Sequence, residues 1–417
     1  MMKKKIILGL TVLASFALLS ACGSGEKKES SDKEKVELTV WGDADNQTVQ
    51  EEAFTKINEA FSKKHPEIKI NYQYSGTLDS INVALQSDSL PDLFWVQGNK
   101  STKMEEMAKN GYLLPIEGLD YKRFSEEAIE YGTVDGKVYS SLPSFISFVT
   151  YYYNEEIFKE NKLEVPKNWE EFDELVGKLD KLGITPISLG GSGDFDRYWY
   201  IQTTAAALAN DDIDSIVEKG SKGNWGQIEE IFTNFQEYSK KGYFGKNFNS
   251  TDGNGAKLQF TNGQAAMIVD GTWNSKSYFE SGLKVGTFNL PNKDSVKYAQ
   301  SGPNNINTYA ISKKTKHPKE ATKYVEFLNS LEAQQIIEDA TGEVPMLDDI
   351  KPRDEKVEML GNYDEIGGNI YNKFSQVATE SSKPQDLLLT SILPDLMQDK
   401  IEPSKAVQLL KEELDKK

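Results

Sequence analysis

Val36, Leu38 and Val40 alternate with polar neighbours, the period of a half-buried strand. A polar, turn-rich stretch follows, Trp41-Gly42-Asp43-Ala44-Asp45-Asn46. Phe54, Ile57 and Phe61 then recur at helical spacing until His65-Pro66, where the proline disfavours helical geometry in the residue before it. Ile68, Ile70, Tyr72 and Tyr74 alternate again. Strand, helix, strand is a βαβ unit and predicts a mainly parallel sheet. Leu93-Phe94-Trp95-Val96 is a short apolar run that reads as a buried strand. Further on, Asn168 is placed to cap a helix whose third residue is Glu171, a variant of the capping box. Phe172, Leu175, Val176 and Leu179 give that helix one apolar face, and Gly183 suits its exit. Pro318 fits a first helical turn, with Ala321, Val325 and Leu328 behind it. Residues 404–417 read as an exposed helix. The Gly-, Asn-, Asp- and Ser-rich stretches 210–226 and 245–256 read as surface loops, and no repeat of fixed period occurs.

The N-terminal pattern is of another kind. Lys3, Lys4 and Lys5 precede an apolar run from Ile6 to Leu19, and Leu19-Ser20-Ala21 leads to Cys22. That is the layout of a secretory leader over residues 1–21, too short for a comfortable membrane span. Leu-Ser-Ala-Cys also resembles a bacterial lipobox, in which Cys22 would be acylated and become the mature terminus. Cys22 is the only cysteine among 417 residues, so a disulfide within the chain is impossible. Residues 22–35 are small, polar and charged and read as a flexible tether. The remaining body is long enough for two sizeable domains.

Charge and inventory then remove some functions. There are 65 acidic against 48 basic residues, and loss of the leader moves the net charge from −17 to about −20. So acidic a body repels phosphate backbones, which argues against nucleic acid as a partner. With two histidines, His65 and His317, a Cys/His zinc site and a Ser-His-Asp triad are both unpromising. Neither a metal nor a cofactor is expected.

Four stretches carry a resemblance. The first is Leu90-Pro91-Asp92-Leu93-Phe94 with Ala108-Lys109-Asn110-Gly111-Tyr112-Leu113 and Pro115. The second joins Asp135-Gly136-Lys137-Val138-Tyr139, Leu142-Pro143, Tyr152-Tyr153-Asn154 and Val165-Pro166-Lys167-Asn168-Trp169. The third is Phe260-Thr261-Asn262-Gly263-Gln264-Ala265-Ala266-Met267, leading to Asp270-Gly271-Thr272-Trp273. The fourth runs from Ala310-Ile311-Ser312 to Thr341-Gly342-Glu343-Val344-Pro345. In this order, behind a lipobox, the chain resembles the extracellular solute-binding proteins of bacterial ABC importers, in particular the sugar-binding family of maltose, raffinose and multiple-sugar type. One departure stands out: Ser301-Gly302-Pro303-Asn304-Asn305 replaces the two glycines that family often has before the Ala-Ile-Ser strand.

The resemblance implies an α/β, two-lobed periplasmic-binding-protein-like fold of type II, each lobe a mainly parallel sheet flanked by helices. Crossings are expected near Pro143, near Asn305 to Tyr309 and near Pro345. Lobe one would then be 36–143 plus 309–344, and lobe two 144–306 plus 346–417. It also implies a carbohydrate ligand captured between the lobes, ABC permease subunits as partners, a monomer, and a lipid anchor on the outer face of a Gram-positive membrane.

A sugar offers hydroxyls that need paired donors and acceptors, and C–H faces that pack on flat rings, so its contacts should mix aromatic with polar side chains on strand-end loops. Trp41, Asp43, Asp45 and Asn46 form one such loop; a calcium loop is the weaker rival, since its glycine and distal glutamate are missing. Gln97 and Asn99 follow the Pro-Asp strand. Asp196, Arg197 and Trp199 follow a glycine-rich turn that lacks the Lys-Ser or Lys-Thr of a phosphate loop. Arg197 would offer a planar donor fork to vicinal hydroxyls. Asp270 would bind hydroxyls and Trp273 would stack under a ring. Asn304 and Asn305 by the second crossing, Phe145 and Tyr371 complete the candidates. Trp41 and Trp273 compete with ordinary core packing, Asp196 and Arg197 with a surface ion pair beside core aromatics, and Asn304 and Asn305 with simple turn chemistry. Two other functions stay open at this point: a cell-surface glycosidase, which needs two carboxyls across a scissile bond, and an adhesin or binder of a non-sugar solute.

Overall fold

The computed structural model describes residues 35–416 apart from Ser101, Ser301 and Glu380. The leader, Cys22 and the tether up to residue 34 lie outside the described residues. Lys35–Lys417 holds together as one compact unit.

The first sheet is built as the alternation predicts. Strand β1 (Val36–Asp43) buries Leu38 and Val40 and turns Glu37 to solvent. Helix α1 (Gln47–Lys64) buries Phe54, Ile57 and Phe61 and ends at His65. Strand β2 (Ile68–Gly76) pairs parallel with β1, in register from Val36 with Ile68 to Trp41 with Gln73. Strand β3 (Leu93–Trp95), wholly buried, pairs parallel on the other side of β1.

Strand β4 (Phe145–Ile146) leads into a second sheet made of β5 (Val149–Asn154), β6 (Thr185–Ser188), β7 (Ala265–Gly271) and β8 (Val285–Phe288). Strand β9 (Tyr309–Ile311) returns to the first sheet, antiparallel to β3, giving the order β9-β3-β1-β2. The order in the second sheet is β8-β5-β7-β6. There the expectation of mainly parallel pairing needs correction. Only β6 and β7 are parallel, because β5 enters directly from β4 rather than through a helical crossover and runs against both of its neighbours.

The helices follow their caps and apolar faces. In α2 (Trp169–Lys181) the Asn168 side chain accepts from Glu171 N at 2.9 Å, while Glu171 reaches back to Lys167 N, one residue beyond the usual box. Helices α3 (Asp194–Leu208), α4 (Gly253–Thr261) and α5 (Ser275–Phe279) surround the ends of β6 and β7. Helices α6 (Pro318–Leu328) and α7 (Leu331–Thr341) bury Ala321, Tyr324, Ala333 and Ile337 in the first core beside Phe54.

Helix α8 (Pro403–Leu414) corrects another expectation. It is not an exposed tail, because Ala406, Val407 and Leu410 are buried in the second core with Ile228 and Phe232. Val407 and Leu410 each contribute about 1.5–3 kcal/mol by leaving water. The two supposed surface loops also carry structure: Asn210–Lys219 is a helix, and 253–256 is the first turn of α4.

Three segments join the two sheets. Strand β4 pairs antiparallel with β10 (Val344–Pro345), Asn304 N donates to Phe145 O at 2.7 Å, and Ser141 N donates to Tyr309 O at 3.0 Å. Among the described residues no helix is long and apolar enough to cross a membrane.

Candidate ligand-binding cleft

A cavity of about 790 Å³ opens between the end of β1 on one sheet and the ends of β6 and β7 on the other. Its size suits a ligand larger than a single pyranose ring. Asp45, Asn46, Thr48, Val49 and Glu52 line it from the first lobe. The turn that presents them is held by Asp43, which is buried. Its carboxylate accepts from Asp45 N at 3.1 Å and Asn46 Nδ2 at 2.8 Å. Burial pushes the Asp43 carboxyl up, against the pull of those same bonds.

The second lobe supplies the aromatic wall. Trp199 and Trp273 both line the cavity, ring centroids 5.4 Å apart at 68°, an edge-to-face pair. Trp199 projects from α3, one turn beyond Asp196, whose carboxylate accepts from Gly253 N at 2.7 Å and so ties the start of α3 to the start of α4. Carboxylates suit that place, because helix N-termini carry partial positive charge. Trp273 lies back across Gly271, where an added Cβ would fall 2.2 Å from its ring.

Asp270 anchors this turn. It accepts from Gly271 N at 2.7 Å, from Asn274 Nδ2 at 3.0 Å and from the Tyr278 hydroxyl. Lys257 on α4 donates to Asn274 Oδ1 at 3.1 Å. Burial raises the Asp270 carboxyl, and the Tyr278 bond leads the groups that oppose it. Asp270 thus lines the cavity with its oxygens already engaged by protein, an arrangement that orients Trp273 more than it offers acceptors.

The other sequence candidates lie elsewhere. Arg197 is buried outside the lining, and its guanidinium donates to Gly191 O, Gly193 O, Leu389 O and the Asp194 carboxylate, so its donor fork staples the glycine-rich turn. Trp41 is half-buried against the first core. Phe145 is fully buried in that core. Asn304 is buried between crossing segments, donating to Glu343 at 2.8 Å and accepting from Ile306 N at 2.8 Å. The Asn305 carbonyl closes a turn by accepting from Thr308. After β3 the chain bends at Gly98, with φ of +54° and no room for a Cβ against Tyr131. Gln97 is therefore left half-buried outside the lining, and the exposed Asn99 borders a separate hollow with Glu105, Glu130 and Asp135. Tyr371 packs on Phe195, centroids 5.6 Å apart, beside but not in the lining.

Sequence reasoning missed Glu52, Asp252, Asn254, Lys257, Asn274 and Lys276, all in the lining. Asp252 carries a legible signal, since it caps α4 by accepting from Gly255 N at 2.7 Å. Asn274 and Lys276 simply extend the Asp-Gly-Thr-Trp stretch. Among the described residues no three His, Cys, Asp or Glu side chains gather closely enough to hold a metal ion.

Two α/β lobes with a polar and aromatic cavity between them define a ligand-capturing protein. The raffinose complex of the binding protein RafE has the same fold, with a TM-score of 0.74 at 20% identity, over 91% of this chain and 99% of that one. A chitin oligosaccharide binding protein superposes with a TM-score of 0.70 at 22% identity, over 92% and 98%. Residues 44–335 match the family described as bacterial extracellular solute-binding protein, and the chain belongs to that family. Among its relatives are the multiple sugar-binding protein of Streptococcus mutans, 28% identical over 354 residues (82% of this chain and 81% of that one). A maltooligosaccharide ABC transporter solute-binding lipoprotein of Streptococcus pneumoniae is 26% identical over 364 residues, 82% and 80% of the two chains.

Proposed function

We propose that this extracellular solute-binding protein captures an oligosaccharide in the cavity between its lobes and delivers it to the permease subunits of an ABC importer, tethered to the outer face of the membrane by lipid on Cys22. The observation that carries the reading is the Trp199–Trp273 pair, set edge to face in a cavity otherwise lined mainly by Asp, Asn, Glu and Lys. Flat rings take the C–H faces of a sugar, and the polar side chains take its hydroxyls. Asp45, Asn46, Asp196 and Trp199, with Trp273, are the proposed contacts. Acidic side chains outnumber Lys257 and Lys276 in the lining, which favours a neutral, hydroxyl-rich solute over an anion. The named ligands of the relatives, multiple sugars and maltooligosaccharides, support the same class.

The test is calorimetry of the protein against neutral di- to tetrasaccharides of α-galactoside and α-glucoside type, with each sugar recovered and its chain length checked. Saturable binding of one series, sugar unchanged, supports the proposal. Cleavage of the sugar, or no binding across the series, sinks it.

A further inference from the structure

Lys276 stands on α5, three residues beyond Trp273, yet its ammonium is engaged entirely with the other lobe. Nζ lies 3.3 Å from a carboxylate oxygen of Glu52 on α1 and donates to Ala340 O on α7 at 2.8 Å. Both α1 and α7 contribute to the first core, through Phe54 and Ile57 on one and Ala333 and Ile337 on the other. Ala340 is the last residue but one of α7, so its carbonyl is among those left without a partner inside the helix, at the negative end of the helix dipole. A lysine from one lobe thus caps a helix of the other. Lys276 and Glu52 also line the cavity, so the contact spans the cleft where ligand would lie. On the same side, Arg353 makes a second link. Its guanidinium is 3.7 Å from Glu280, just after α5, and its backbone N–H donates to Glu338 on α7 at 2.6 Å.

We propose that Lys276 is an interlobe latch: by holding Glu52 and the C-terminal carbonyl of α7 from across the cleft, it favours the closed arrangement and slows release of a captured solute. The proposal rests on the reading of the cavity as a capture site. Two features make the latch reversible. Glu52 keeps a second partner, Lys56 at 2.7 Å, when Lys276 leaves. Both members of the ion pair are partly exposed, so water can replace the contact. A partly exposed pair reinforced by a charge-assisted bond to a free helix carbonyl is expected to change the closed-to-open ratio by about fivefold.

The experiment needs no ligand. Cys22 is the only native cysteine, so in the chain with Cys22→Ser, spin labels at Val83→Cys and Leu258→Cys, both exposed and one on each lobe, report the interlobe distance by double electron–electron resonance. The expected result is a ratio of shorter- to longer-distance populations that falls about fivefold in Lys276→Met and persists in Lys276→Arg. Raising the salt should reduce that ratio more in the parent than in Lys276→Met, where the Arg353–Glu280 link is left to screen. Glu52→Gln should give a smaller shift in the same direction and serves if Lys276→Met fails to fold. An unaltered distance distribution in a folded Lys276→Met or Glu52→Gln protein overturns the latch. Failure of the capture reading would appear separately, as absence of oligosaccharide binding in the parent.

Discussion

At the scale of single residues, the cleft separates groups that face the cavity from groups that hold those groups in place. Trp273 is of the first kind. We predict that Trp273→Ala lowers oligosaccharide affinity at least tenfold by calorimetry while the circular dichroism spectrum stays unchanged, as truncation of a central aromatic anchor does. Arg197 is of the second kind, and Asp270, though it lines the cavity, does the same work of holding. Arg197 neutralises Asp194 and satisfies three carbonyls. Arg197→Met should therefore cost about 2–4 kcal/mol in urea unfolding, because buried acceptors lose their donors. Arg197→Lys should recover little, since one ammonium cannot reproduce the planar fork. If Arg197→Met proved neutral in stability but abolished binding, the stapling role assigned here would be wrong. Sequence spacing picked out Arg197 as a donor fork for sugar hydroxyls, whereas the structure takes up that fork on protein acceptors. Its partner Leu389 O is 192 residues away, and no local pattern carries that information.

At the scale of elements, caps and apolar faces explain most of what forms. Asn168→Ala should cost about 1 kcal/mol in thermal or urea unfolding, the usual value of an N-cap. Helix α7 carries a less usual feature. Burial pushes the Glu338 carboxyl up to about 7, opposed by the bond from Arg353 N. Between the ordinary 4.5 and about 7 the folded chain keeps a proton that the unfolded chain has released. Stability should therefore fall as pH rises through that window and level off above it. Glu338→Gln should flatten this part of the profile and raise stability at pH 8 by about 2 kcal/mol, read from urea midpoints at pH 5 and pH 8. A parallel profile for the variant would show that Glu338 titrates normally. The spacing of α7 shows which face is apolar. It does not show that Glu338 lies under the Arg353 turn, which depends on a chain reversal after β10.

At the scale of the whole molecule, two sheets with their buried cores and three paired crossing segments let one chain present a cavity that neither sheet makes alone. Ligand in that cavity should stabilise both lobes together. At about 100 times its dissociation constant the gain is about 2.7 kcal/mol, visible as a rise of a few degrees in melting temperature with a single transition. Two separate transitions, only one of them moved by sugar, would mean that the ligand is held by one lobe and not between two.

The chain's local patterns determined much of this by themselves. The β1–α1–β2 unit, the end of α1 at His65-Pro66 and the Asn168 cap depend on neighbours within a few residues, so periodicity and capping chemistry reveal them. The ordered motifs likewise carried the family. Tertiary structure alone decided the antiparallel course of β5, the burial of α8 and the division of the polar candidates into lining and support. Phe145, Asn304 and Arg197 have the composition of contact residues, and long-range packing consumes their side chains inside the protein. Glu52, Lys257 and Lys276 read as ordinary surface charges, and only the approach of α1, α4 and α5 turns them toward one cavity. The physical reason is that a polar side chain's role depends on which partners reach it first, and those partners are distant in sequence.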